Sequence, residues 1–203
     1  MINTHDGVAR RTAVESIFYC RGIVAAKARQ LALLRGINVG RHRQLPMVEL
    51  RELLGQLGHA DVATHLRSGN AVYTSTKPPP AAAAEIERAI AKRFGFAVDV
   101  VVRTAAQVGR VLDRDPLGDV ATDGAKYLVV FFAKAPTAAA RTRIEALELG
   151  DERLRIDGRE AYVWAPAGVN ESRAWKALSR DEVGVATARN WNTVRKLAEM
   201  LAG

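Results

Sequence analysis

Apolar residues follow two spacings along the chain, and their order predicts a repeated arrangement of strands and helices. Residues 31–34 form a continuous apolar run, which predicts a buried strand. Leucines then recur at helical spacing between Pro46 and Gly58, and a proline suits the first turn of a helix. Two further strands are predicted over 61–67 and 71–75, on either side of a Ser-Gly-Asn turn.

A second helix and a fourth strand complete the first cycle. The helix is predicted over 81–94, where apolar residues share one face. Apolar residues alternate over 96–103, which predicts a half-buried strand. The element order over 31–103 is therefore β-α-β-β-α-β, the split βαβ arrangement of ferredoxin-like folds. Thr104 is expected to cap a short trailing helix that runs to about Leu112.

A second cycle repeats this order after a loop rich in Gly and Asp. It consists of a strand over 127–133, a helix over 136–149 with Ile144 and Leu147 inward, a hairpin about Asp157-Gly158, a helix from Asn170 to Ser179, a strand over 185–187 and a final helix capped by Asn190. The sequence therefore predicts an α+β fold of two ferredoxin-like (split βαβ) subdomains in tandem. Their sheets are expected to be mixed or antiparallel, with helices on one face.

These patterns also divide the chain into segments. The first subdomain with its trailing helix is expected over 31–112, a linker over 113–124, and the second subdomain with its C-terminal helix over 125–203. Residues 1–30 have weak periodicity and no clear caps, so they are expected to be a disordered extension or the product of a misassigned start. Val24 is a candidate GTG start codon, which would remove residues 1–23 from the native protein.

Composition narrows the classes of function. The formal net charge of +8 comes mostly from arginine, which indicates either an anionic partner or the codon bias of a GC-rich genome. Aromatic residues make up only 6%, which disfavours a base-stacking platform, and no window of about 18 residues is continuously apolar. The single cysteine, Cys20, permits no internal disulfide and indicates the cytoplasm. The four histidines lack metal-ligand spacing, so no metal or cofactor is predicted.

Three polar motifs carry the unusual chemistry: RGINVG at 35–40, RSGN at 67–70 and TARNWNT at 187–193. The first lacks the GK[ST] ending of a phosphate-binding P-loop. None contains Asp or Glu, which general acid–base catalysis ordinarily uses. Each motif has a structural interpretation, in which its side chains stabilise turns and cap helices, beside a binding interpretation. In the latter, arginines bind a carboxylate or phosphate.

The motifs also resemble a known family. LALLRGINVG, LPMVELRELL, RSGNAVY and TARNWNTVRKLAEM together resemble the bacterial proteins grouped as domain-of-unknown-function family 1697. The resemblance covers about residues 30–201 and implies tandem ferredoxin-like α+β subdomains with no established activity. Arg67 stands where the family usually has Gln, and Arg41 where a second Gly is frequent. Both departures add positive charge to the motif loops.

We therefore predict a cytoplasmic protein that binds a small anionic ligand in a cleft between the subdomains, where the motifs meet. The candidate ligand-binding residues are Arg35, Asn38, Arg67, Ser68, Asn70, Arg189, Asn190 and Asn192. One alternative is an enzyme that acts on a phosphorylated or carboxylated metabolite, with His42 as general acid or base. The other is a nucleic-acid-binding protein, which the absence of an RNP aromatic pattern disfavours. No membrane partner is predicted.

Overall fold

The structure is a computed structural model that describes residues 26–40 and 43–203, apart from the side chain of Asp181. The expectations for residues 1–23 and for Cys20, Arg41 and His42 lie outside the described residues.

The first half of the chain folds into one sheet with two helices of its own and one trailing helix. Its elements are β1 (Ala28–Leu34), α1 (Met47–Gln56), β2 (Ala60–His65), β3 (Asn70–Ser75), α2 (Pro79–Phe94), β4 (Val100–Thr104) and α3 (Ala105–Arg114). The strands lie in the order β2-β3-β1-β4, and every neighbouring pair is antiparallel.

The second half repeats this topology. Its elements are β5 (Tyr127–Phe132), α4 (Ala138–Glu145), β6 (Arg153–Asp157), β7 (Glu160–Trp164), α5 (Arg173–Leu178), a short 3-10 helix (Asp181–Val183), β8 (Ala186–Asn190) and α6 (Trp191–Ala202). The strand order β6-β7-β5-β8 is again antiparallel throughout. The predicted α+β fold of two tandem ferredoxin-like units is thus confirmed.

Both faces of β1 are buried over residues 31–34, which explains the unbroken apolar run there. Ala32 and Leu34 lie in one core with residues of α1 and α2, whereas Leu31 and Leu33 lie in a second core. This second core also contains β5 residues such as Val129 and residues of the trailing helices α3 and α6. The two sheets and the trailing helices therefore share one apolar core, and α4 and α5 cover the other face of the second sheet.

Strand β4 begins later than the alternation over 96–103 predicts. It starts at Val100, because Phe96 turns back to the end of α2, where its ring lies 6.2 Å from the ring of Phe94. The expectation of a half-buried strand is also wrong: Val100, Val101 and Val102 are all buried. Alternate residues enter the two cores on either side of the sheet, so the alternation does not mark a solvent-facing side.

Two helices of the second half have different bounds from those expected. Helix α5 is capped by Ser172 and not by Asn170, because the Ser172 hydroxyl accepts from Trp175 N (3.0 Å) and donates to a carboxylate oxygen of Glu152 (2.6 Å). Helix α4 ends at Glu145, so Leu147 leaves the helical phase and is exposed.

Strand β8 is longer than expected and extends from Ala186 to Asn190. Arg189 therefore belongs to a strand that pairs with β5, where it lies opposite Val129. This register decides where the third motif points.

No helix in the described part of the chain is both long and apolar enough to cross a lipid bilayer.

Candidate functional site

The side chain of Arg189 joins the second half of the chain to the first. It is 8% exposed and extends from β8 toward the end of β1 and the β2–β3 turn. Its guanidinium donates to the carbonyl oxygens of Leu34 (2.9 Å), Ser68 (3.0 Å), Gly69 (3.4 Å) and Ala188 (2.7 Å), to Thr187 Oγ1 (2.7 Å) and to Asn70 Oδ1. The third motif therefore contacts the second motif directly and the residue that precedes the first.

Asn70 is fully buried and holds the β2–β3 turn in shape. Its amide nitrogen donates to the His65 carbonyl (2.8 Å) and to Ser68 Oγ (3.1 Å), while its amide oxygen accepts from Arg189 Nε. Both ends of the amide are thus used inside the protein.

Asn38 connects the first motif to the second. Its amide nitrogen donates to the carbonyl oxygens of Arg67 (2.7 Å) and Leu45 (3.0 Å), and its amide oxygen accepts from Leu45 N (2.8 Å). The backbone of Asn38 has a φ of 56°, a left-handed conformation that asparagine tolerates better than most residues. Asn38 thus shapes the loop after β1 and fixes it beside the turn.

Arg35 also bridges the two halves but keeps contact with solvent. Its Nη1 lies 3.3 Å from Asp99 Oδ2, and its Nη2 donates to the Ser179 carbonyl beyond α5 (3.3 Å). About a third of its side chain is exposed (32%).

An open cleft of about 410 Å³ lies beside these residues, between the loop after β1 and the helix α5. Its walls contain apolar side chains and a smaller number of polar ones. The lining residues are Leu34, Arg35, Gly36, Ile37, Val39, Ser68, Trp175, Ser179, Ala186, Thr187, Ala188 and Arg189. This volume is within the range of small-molecule binding sites.

Arg35, Ser68 and Arg189 are the candidate residues that line the cleft, and Asn190 and Asn192 lie apart from the whole cluster. Successive side chains of a strand point to opposite faces, so Asn190 points away from Arg189. It caps α6 instead, and its Oδ1 accepts from Thr193 N (2.8 Å). Asn192 is exposed and lies against the backbone of Gly124. The structure thus brings together Arg35, Asn38, Arg67, Ser68, Asn70 and Arg189, but not Asn190 or Asn192.

In the part of the chain that the structure describes, the guanidinium of Arg189 donates only to neutral acceptors. No Asp or Glu side chain within the described residues pairs with its guanidinium. Burial lowers the pKa of Arg189 to about 10, so the group is still charged at neutral pH. The floor of the cleft therefore carries a buried cation without a carboxylate partner.

Arg103, which the sequence motifs do not single out, occupies the matching position in the first half. It lies opposite Leu31 in the β1–β4 pair, as Arg189 lies opposite Val129 in the β5–β8 pair. Each arginine is followed by a residue that caps a trailing helix, Thr104 for α3 and Asn190 for α6.

Among the described residues, each of the four hydrogen bonds of Arg103 has a counterpart among the six of Arg189. Its Nη2 donates to the carbonyls of Phe132 (2.6 Å), at the end of β5, and of Arg159 (3.1 Å), in the β6–β7 turn. Its Nη1 donates to the carbonyl of the preceding residue, Val102 (3.1 Å). The two arginines therefore cross-link the halves reciprocally.

Arg189 donates in addition to Thr187 Oγ1 and to one more carbonyl of the other half. The difference in charge lies in the partner of Nε. Arg103 Nε donates to a carboxylate oxygen of Glu160 (2.8 Å), whereas Arg189 Nε donates to the neutral amide of Asn70. Burial lowers the pKa of Arg103, and the hydrogen bond and charge of Glu160 raise it. The Arg103 cluster thus contains its own counter-charge, and the Arg189 cluster does not.

The loops around Arg189 are longer than their counterparts around Arg103. Residues 35–46 connect β1 to α1, whereas only residues 133–137 connect β5 to α4. The β2–β3 turn has four residues between its last paired positions, and the β6–β7 turn has two. The cleft beside Arg103 is also smaller, at about 240 Å³.

A comparison of the two halves of this sequence contains one signal that points to Arg103. Both halves contain an apolar strand that ends in arginine, followed by a capping residue and a helix: VVVRTAAQV in the first half and VATARNWNTV in the second.

Within the described residues, no group of three or more His, Cys, Asp or Glu side chains is arranged to hold a metal ion.

Comparison with known proteins agrees with this architecture. The chain is similar in structure to the conserved bacterial protein SP0830 from Streptococcus pneumoniae, with a TM-score of 0.72 and 25% sequence identity. The similarity covers 87% of this chain and 99% of that one. No protein with a curated description matches the chain.

A family profile matches residues 28–162, from β1 into β7, and so covers the first two motifs but not the third. The family is described as a protein of unknown function, DUF1697. Because the matched residues make up more than half of the chain, the protein belongs to the DUF1697 family.

Proposed function

We propose that the protein binds a small anionic ligand in the cleft beside Arg189. The observation that carries this proposal is the uncompensated charge of that buried arginine. Burying a charge without an opposite charge is unfavourable. At the matching position the same fold accommodates Glu160, so the geometry permits a carboxylate where Asn70 stands. A bound anion would supply the missing counter-charge.

Arg189 contributes to this site through its charge and not through direct hydrogen bonds. Its N–H groups already donate to protein acceptors. Two unit charges about 4 Å apart attract by about 4 kcal/mol at an effective dielectric constant of 20. This is enough to favour an anion over a neutral ligand of the same shape. The exposed Ser68 hydroxyl and the Arg35 guanidinium on the cleft wall are the candidate direct donors.

The walls of the cleft indicate that the ligand also has an apolar part. Trp175, Ile37 and Val39 line the cleft together with small alanines of β8. An indole ring and branched aliphatic side chains favour an aromatic or aliphatic body over a bare inorganic ion. The proposed ligand class is therefore a carboxylate or phosphate monoester with an apolar portion.

Binding is preferred to catalysis because of the residues that line the cleft. In the described part of its wall no Asp, Glu or His occurs, and these are the usual groups of acid–base catalysis.

The test is calorimetric titration of the chain with benzoate and phenyl phosphate, with benzyl alcohol as the neutral probe. We expect both anions to bind and the alcohol not to bind. Ser68→Glu places a carboxylate on the cleft wall and is expected to weaken anion binding at least about tenfold, or 1.4 kcal/mol. Ser68→Gln is the matched control, because it has the same size without the charge.

A second pair of variants separates the two arginine clusters. Asn70→Asp gives Arg189 a counter-charge and should weaken anion binding, whereas Glu160→Gln removes the counter-charge of Arg103 and should leave binding at the Arg189 cleft unchanged. The absence of binding to the wild type, or equal binding by Ser68→Glu and Ser68→Gln, would show that the cleft is not an anion site.

A further inference from the structure

We propose that the rim of the cleft is a docking surface for a partner protein, and that it recognises a segment with apolar side chains flanked by carboxylates. The motif rim is defined here as Val39 and Arg43 in the loop after β1 and Leu66 and Arg67 in the β2–β3 turn. The motif rim shares Val39 with the cleft wall, but Arg43, Leu66 and Arg67 do not line the cleft, so the proposal does not depend on the anion site.

The first observation is the exposure of two aliphatic side chains on adjoining loops. Val39 is 72% exposed and Leu66 is 56% exposed. Each is next in sequence to a residue of the hydrogen bond between Asn38 Nδ2 and the Arg67 carbonyl (2.7 Å), so the two loops touch at that point. Single exposed aliphatic residues are common, so exposure alone decides nothing.

The second observation is the backbone of Leu66. Its φ is +59°, a left-handed conformation that is unfavourable for residues with a Cβ and rare for bulky ones. Amide hydrogen bonds fix the carbonyls on either side of it, from Asn70 to His65 (2.8 Å) and from Asn38 to Arg67 (2.7 Å). Two asparagine side chains thus hold an unfavourable backbone whose side chain contacts mainly solvent. Strain of this kind concentrates at functional positions.

The third observation is that the hairpin does not need these residues to form. The matching β6–β7 turn connects Asp157 to Glu160 through two residues, and the carbonyl of one of them still receives Arg103. The β2–β3 turn between His65 and Asn70 contains two residues more. Leu66 and Arg67 are therefore additional to what the fold and the arginine cross-link require.

Charge selects the kind of partner. Arg43 and Arg67 are both exposed. Arg67 follows Leu66 in sequence, and the Arg43 carbonyl accepts from the backbone N–H of Asn38 (3.1 Å), the neighbour of Val39. An arginine has a planar fork that matches a carboxylate, so the complement is a segment in which Asp or Glu flanks one or two apolar residues. An anionic lipid surface has related chemistry, but two aliphatic side chains without an aromatic ring form a poor membrane anchor.

The test uses fluorescence anisotropy of the full chain with a panel of fluorescein-labelled hexapeptides. In these peptides a pair of Leu, Ile, Val or Phe is flanked by Asp or Glu, and the control panel has Lys in place of the acids. We expect members of the acidic panel to bind with Kd below about 100 μM and the basic panel not to bind.

Leu66→Asn gives the decisive measurement because asparagine tolerates the left-handed backbone. This variant is expected to raise the melting temperature and to weaken peptide binding at least about tenfold. A residue with a purely structural role would not lose binding while it gains stability. Val48→Asn, on the first turn of α1, removes an equally exposed aliphatic residue outside the rim and should leave binding unchanged.

Three results would overturn the proposal. The first is that no peptide of the acidic panel binds. The second is that wild type and Leu66→Asn bind the peptides equally. The third is that the motif rim binds a membrane or a second copy of the chain and not the peptides. The last includes cosedimentation with phosphatidylglycerol vesicles without peptide binding, which would indicate a membrane surface. It also includes dimerisation that Leu66→Asn abolishes, which would indicate a second copy of the chain.

Discussion

Arg103 and Arg189 donate to matching strand-end and turn carbonyls in opposite halves of the chain, yet among the described residues only Arg103 has a carboxylate partner. Each arginine replaces the hydration of strand-end carbonyls that the packing of the two halves has buried. The reciprocity makes each an internal control for the other. Differences in the effects of matched substitutions therefore report on the counter-charge and not on the cross-link itself.

The first prediction compares Arg103→Met with Arg189→Met in urea unfolding. Arg103→Met leaves the Glu160 carboxylate, which is 20% exposed, without its partner, and we expect a loss of about 3 kcal/mol or more. Arg189→Met leaves neutral acceptors without donors, at a cost of about 1–3 kcal/mol, but it also removes a buried charge. The loss should therefore be smaller for Arg189→Met. A larger loss would mean that the charge of Arg189 is compensated elsewhere in the protein.

The second prediction concerns two glycines with similar backbones and different surroundings. Gly36 and Gly69 have φ values of +65° and +80°. A Cβ at Gly69 would lie 2.7 Å from Leu34 Cβ and 2.9 Å from Ile37 Cδ1, whereas the nearest atom at Gly36 is 3.7 Å away. Gly36→Ala should cost about 1 kcal/mol, from backbone strain alone. Gly69→Ala should cost at least about 1–3 kcal/mol more because of steric overlap. Similar unfolding free energies for both variants would contradict the close approach at Gly69.

The third prediction is a pH dependence of stability due to His59. The imidazole is buried, with its ring 4.5 Å from that of Tyr73. Burial lowers the pKa of His59, while the Glu85 carboxylate raises it and the Lys77 ammonium lowers it. Because the net shift is downward, the unfolded chain takes up the proton first as the pH falls below about 6.5. The stability that neutral His59 gives is therefore lost as the pH falls from that value through the folded-state pKa.

This dependence is measured as the free energy of unfolding between about pH 5 and pH 7. His59→Gln should flatten the curve in that window. His65→Gln, at a half-buried position in β2, is the control for removal of a histidine elsewhere in the same sheet. An unchanged slope in His59→Gln would show that another group produces the pH dependence.

The fourth prediction separates helix capping from ligand binding. Asn190 caps α6 and lies outside the cleft, so Asn190→Ala should destabilise the protein by about 1 kcal/mol and leave benzoate affinity unchanged. Asn190→Ser retains a cap and should recover most of the stability. A tenfold loss of benzoate affinity in Asn190→Ala would place this residue in the site after all.

Local sequence patterns were sufficient to predict the fold because each element contains its own signal. Leucine spacing in α1 and the Asp157-Gly158 turn both indicate structure that nearby residues determine. The prediction of a half-buried strand from Phe96 was wrong because Phe96 and Val98 lie before the strand, and Val100 to Val102 within it are buried on both faces. The prediction that Leu147 points inward was wrong because α4 ends two residues before it.

The candidate site was less predictable because it depends on register. Whether Arg189 or Asn190 faces the cleft is decided by the pairing of β8 with β5, and a shift of one residue would exchange them. Arg103 was missed for a related reason. Its one signal is the similarity of the two strand ends, which emerges only when the halves are compared, and its importance comes from contacts with residues such as Phe132 and Glu160 that are distant in sequence.

The reciprocal cross-links of Arg103 and Arg189 also show what a single chain with both halves can do that two separate copies of one half cannot. Two separate copies of one half, assembled about a twofold axis, would have to carry the same side chain at both Nε positions, because identical subunits present identical sites. Covalent linkage removes this requirement. One junction can then carry a carboxylate, Glu160, while the other carries the neutral Asn70, and that difference is what the proposed anion site requires.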